Sequence, residues 1–108
     1  MPTSNSNLAY EDCYRVLDQA VDAVMDGKDG IRAGPYEAEG DARHFQVRLN
    51  TARRLMRDEN KKVFTPDDPQ HGTSPYDPFV FRIMIDTTGC HWVYIQKMRG
   101  PPSIEVLE

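Results

Sequence analysis

The residues with the clearest capacity for chemistry are cations at helical spacing. The stretch from Arg43 to Lys62 holds seven of the thirteen basic residues against two acids, Asp58 and Glu59, in a 108-residue chain of formal net charge -4. At about 100° per residue, Arg43, Arg54, Arg57 and Lys61 share one helix face, flanked by Arg53. A guanidinium donates paired hydrogen bonds from a planar fork that matches phosphate, and a row of them can follow a nucleic-acid backbone. Arginine and lysine are also good helix formers whose stems cover apolar surface, so the same row serves equally as a solvated or internally paired face. Asp18, Asp22 and Asp26 stack one turn apart and need solvent, a cation or basic neighbours. They are the expected internal partners if the ridge is not free.

A second concentration of reactive side chains is the loop Thr65 to Pro78, TPDDPQHGTSPYDP. It brings Asp67, Asp68, His71, Ser74, Tyr76 and Asp77 close in sequence. A hydrolase would need a carboxylate-oriented histidine on the hydroxyl and an oxyanion hole, and the sequence has no strand-to-helix serine elbow to build one. The reading is an ordinary loop in which Asp and Ser satisfy turn backbone groups. No catalytic residue is expected.

Metal chemistry has little to work with. Cys90 and His91 adjoin, with His44 and His71 elsewhere, but structural zinc sites use paired ligands at short fixed spacings and the chain has no CxxC. DGKDG at Asp26 to Gly30 fails as a calcium loop because Lys28 and Gly30 stand where oxygen ligands belong. Glycine-rich phosphate loops and dinucleotide fingerprints are absent, so no cofactor is expected.

These groups must be held by a small set of elements. Leu8 to Met25 predicts a helix capped by Asn7 and stopped by Gly27, with Cys13, Val16, Leu17, Ala20, Val21 and Val24 as its buried stripe. Gly27 to Gly40 is a connector without a sustained period, from which Ile31 to Tyr36 could contribute a short edge strand. Asp41 to Val63 predicts the second helix, with Phe45, Leu49, Ala52, Met56 and Val63 in the core. Phe79 to Lys97 alternates as a hairpin turning at Thr87 to Cys90, with Gly89 in the left-handed conformation. Phe79, Phe81, Ile83, Ile85, Val93 and Ile95 form its packing face. Its other face shows Val80, Arg82, Met84, Trp92 and Tyr94, too aromatic for water alone, and suits a covering layer, a second copy, or stacked bases or a peptide. Ser103 to Leu107 adds an edge strand or a docking tail.

Composition sets the frame for these assignments. With 39% hydrophobic and 28% charged residues, the chain reads as one globular α+β domain over 1–108, with a flexible start at 1–7 and a proline-rich loop at 64–78. Two helices pack on a small antiparallel sheet built around the C-terminal hairpin. Two cysteines make no disulfide framework, and neither a signal peptide nor a membrane span is apparent, so the expected compartment is the cytoplasm.

A short acidic protein with one basic helix and no cofactor motif is similar in make-up to the small accessory proteins of bacteria and their phages. The expectation is a non-enzymatic, regulatory binding module that contacts DNA or RNA through Arg43, Arg53, Arg54, Arg57 and Lys61. The alternative is a protein-interaction module, an inhibitor, an adaptor or a homodimer, using Arg82, Met84, Trp92 and Tyr94.

Overall fold

The computed structural model describes residues 9–98. Helix α1 (Glu11–Met25) leads through strand β1 (Gly30–Tyr36) to the long helix α2 (Glu39–Val63), and β2 (Phe79–Ile85) and β3 (His91–Lys97) close the chain. The three strands form one antiparallel sheet in the order β1-β3-β2, the α+β arrangement expected, with β2-β3 as the C-terminal hairpin. The expected cap Asn7 and the segment Ser103 to Leu107 lie outside the described residues.

Each helix buries the stripe that its spacing dictates. Cys13, Leu17 and Ala20 of α1 and Ala42, Phe45, Leu49 and Ala52 of α2 meet Phe79, Phe81, Val93 and Ile95 from one face of the sheet. Gly27, at φ 86°, stops α1: its amide bonds the Val24 carbonyl and that of Lys28 bonds the Ala23 carbonyl, satisfying orphan acceptors of the last turn. Gly89 holds the hairpin turn at φ 88°.

Two residues assigned to the core by spacing lie outside it. Val63 is 63% exposed. A helix of 25 residues runs about 37 Å, whereas seven-residue strands run about 23 Å, so the last turn of α2 projects past the sheet. Ile85 is likewise 63% exposed. It ends β2 beside the hairpin turn, where burial along the strand has faded from Phe79 and Phe81 through partly buried Ile83.

Both helices lie on the same side of the sheet. Outward-pointing residues alternate with the buried ones, and the ladder sets Arg32 and Arg82 on either side of Tyr94, and Met84 beside Trp92. No helix or strand among the described residues covers this second face.

Candidate nucleic-acid interface

The cations of α2 are divided between internal work and solvent. Arg43 reaches back to Glu39 at 2.8 Å. Arg48 clasps both carboxylate oxygens of Asp12 at 2.7 Å each and donates to the Ala9 carbonyl at 2.7 Å, fastening α2 to the first turn of α1. The guanidinium beside it holds the Asp12 carboxyl below its ordinary range. Arg53 donates to the carbonyls of Phe79 (2.7 Å) and Tyr76 (3.3 Å) while its guanidinium lies 4.5 Å from the Phe81 ring centre. Burial, and then neighbouring Arg57, lower the pKa of Arg53. Arg57 binds Asp77 at 2.6 Å. Among the described residues, Arg54, Lys61 and Lys62 make no ion pair.

Arg53 and Arg57 are therefore committed to the proline-rich loop, and the acidic row of α1 is not what engages them. Asp18 instead accepts the Tyr76 hydroxyl at 2.8 Å, which ties the same loop to α1. Asn60 adds a bond to the Thr73 carbonyl at 2.6 Å. Tyr76 is 4% exposed, and burial followed by the Asp18 carboxylate pushes its hydroxyl well above the usual phenol range. Within the loop, Ser74 Oγ accepts the Tyr76 amide and the Asp77 carboxylate accepts the Ser74 amide. No hydrogen bond joins the His71 side chain to Ser74 or to a carboxylate among the described residues.

The ladder also explains where the β2 carbonyls go. Flanking bonds from Asp86 to Cys90 and from Met98 to Pro78 show that even-numbered residues of this segment face β3, so Phe79 and Phe81 turn their carbonyls away from it. Arg53 takes the Phe79 carbonyl and Gln46 takes that of Phe81 at 2.9 Å. Gln46 had no sequence signal beyond its place on an amphipathic helix.

On the open sheet face the arginines are differently placed. Arg32 of β1, Tyr94 of β3 and Arg82 of β2 stand in register as a row across all three strands. Arg32 lies 3.8 Å from the Trp92 ring centre and donates to the Tyr94 hydroxyl at 3.4 Å. Arg82 is exposed, and its side chain makes no salt bridge or hydrogen bond among the described residues. Trp92 is fixed from the opposite side: its indole N–H donates to Asp86 at 2.7 Å. The Thr88 hydroxyl, then that indole N–H, depress the Asp86 pKa far below the carboxylate range. Gly34, at φ 148°, leaves room for the indole, since a Cβ there would meet the Trp92 ring at 3.1 Å. Strand positions on this face, Arg32, Val80, Arg82, Met84, Trp92, Tyr94 and Gln96, include two cations, and the next outward position beyond Met84 is Asp86, whose carboxylate is the one bonded to the Trp92 indole.

The structure thus brings Arg82, Met84, Trp92 and Tyr94 together on one surface and adds Arg32, which sequence reasoning left in the connector. Strand alternation from Ile31 was its available signal. Of the helix residues, Arg54 and Lys61 keep uncommitted charges about two turns apart. The chain matches no protein-family model, no curated protein and no solved structure.

Proposed function

We propose that this chain is a non-enzymatic nucleic-acid-binding module of regulatory type, and that its contact surface is the open face of the sheet rather than the basic ridge of α2. The observation that carries the reading is the cross-strand row Arg32–Tyr94–Arg82 beside Trp92. In a chain of net charge -4, a surface with two guanidinium groups, two large aromatics and a single carboxylate, Asp86, already bonded to the Trp92 indole, complements a polyanion that also offers flat bases. The fit of the α2 ridge is weaker because Arg53 and Arg57 are already bonded to carbonyls and to Asp77.

The rival, a protein-interaction module, is favoured by Met84, 48% exposed beside Trp92, since aromatics, methionine and arginine together are the composition of protein interfaces. Salt titration of labelled-oligonucleotide binding discriminates the two. Each phosphate contact contributes roughly 0.7 to 0.9 to the log-log salt slope, so the Arg32→Ala, Arg82→Ala double variant should lose affinity and flatten the slope by about 1.4 to 1.8. Trp92 is the one tryptophan of the chain, so its emission should change on binding. Loss of binding in an Arg54→Ala, Lys61→Ala, Lys62→Ala variant, with the sheet-face variant unaffected, would return the site to α2. Absence of binding at ~50 mM salt overturns the nucleic-acid reading.

A further inference from the structure

Building on the proposed nucleic-acid reading, we infer that the ligand is an unpaired strand, whose bases stack on Tyr94 while flanking phosphates meet Arg32 and Arg82. A duplex keeps its bases inside the stack and offers a flat surface only phosphates and sugars, and its major groove admits one helix or a two-stranded ribbon. The open face here is three strands wide and backed by two helices. It is too wide for the major groove, and against an undistorted duplex its aromatic rings would have no base to meet. Unpaired bases are splayed and stack on aromatic rings or guanidinium planes without sequence preference.

The row is built for that geometry. Tyr94 belongs to the central strand, so Arg32 and Arg82 approach it from both sides, on backbones about 10 Å apart. Arg32 is already ordered, by the Trp92 ring beneath it and the Tyr94 hydroxyl beside it. Its guanidinium plane is therefore a second stacking surface, next to the ring, that loses little freedom on binding. Gln96, one outward position along β3 from Tyr94, supplies an amide for base edges. A carboxylate-rich protein segment would satisfy the two arginines but would leave the Tyr94 ring without a planar partner.

The test compares a labelled oligothymidylate of roughly 12 nucleotides, within the span of a small single-strand-binding surface, with the same strand paired to oligoadenylate. Both are titrated at ~50 mM salt with the parent chain, Tyr94→Ala, Tyr94→Phe and the Arg32→Ala, Arg82→Ala double variant, each checked for an unchanged melting curve. The expected result is at least tenfold tighter binding of the unpaired strand, a loss of about 5- to 150-fold in Tyr94→Ala, the range for removing one stacking partner, and near-parent affinity in Tyr94→Phe. Equal or tighter duplex binding that still depends on the two arginines overturns this inference and leaves the proposed function standing. Binding of neither probe overturns both. Self-association of the parent chain that Tyr94→Ala abolishes, with no oligonucleotide bound, assigns the face to a second copy and also overturns both.

Discussion

The basic side of α2 and the open face of the sheet both display arginine, and they use it in opposite ways. On α2, Arg48 and Arg53 end on acceptors of other elements, the Asp12 carboxylate and the Phe79 carbonyl, and Arg57 ends on the loop carboxylate of Asp77. On the sheet, Arg82 is solvated and Arg32 rests on an aromatic ring, with no carboxylate neutralising it among the described residues. Density of positive charge in sequence is therefore a poor guide to charge that a partner can use. Of seven cations within twenty residues, three tie elements of the fold together, while two isolated ones, fifty residues apart in sequence, meet in one row across the sheet.

Substitutions should separate the two groups by where the free energy appears. Arg53→Leu keeps the packing stem but removes the donor to two carbonyls, and leaving such groups unsatisfied costs about 2 to 3 kcal/mol. Calorimetry should show a melting temperature lower by roughly 10 °C or more for a domain of this size; a stable Arg53→Leu variant would mean that the residue is free for other duties.

The Arg48–Asp12 clasp should contribute less, under about 1 kcal/mol, because Asp12 is half exposed and its partner is screened by solvent. Its pH dependence has a definite sign. The Asp12 pKa is depressed in the folded chain from its ordinary 3.8, so the contribution is fully present above that value and is lost as pH falls through the lower folded value. Asp12→Asn should therefore be less stable than the parent at pH 7, with the gap closing below about pH 4. Urea titrations across that range would show a constant gap if the clasp were inert.

Arg82→Ala should change stability least, within about 0.5 kcal/mol, because no partner is lost. A larger loss would place Arg82 with the structural arginines and erase the contrast between the two surfaces.

The sequence carried the elements better than it carried their relations. A period near 3.6 located α1 and α2, and a period of two located β2 and β3, because each signal is local and each element buries one face. Placement of Arg82, Met84, Trp92 and Tyr94 on one surface followed from the same alternation. The roles of Arg53 and Arg57 were not legible, since a helical wheel says which residues share a face but not that a loop twenty residues later will lie across it. Asp77 and the Tyr76 carbonyl could be recognised as their acceptors only once the fold was known. Arg32 escaped for a similar reason: its membership of the row depends on β1 pairing with β3 rather than with β2, a choice no short-range pattern records. Val63 and Ile85 fit their periodicities but sit where the opposing layer ends.

The side-chain bonds from Arg53 and Gln46 to alternate carbonyls of β2 have a consequence for the crowded protein. An outer strand with unoccupied backbone acceptors is a template on which a second chain can extend the ladder, and from there a fibril can grow. Here two successive docking points, at Phe79 and Phe81, are already filled by the chain's own helix. The chain should thus withstand high concentration without polymerising through that margin, and Gln46→Ala combined with Arg53→Leu should shorten the lag of fibril formation, read by thioflavin fluorescence, under conditions where the folded state persists.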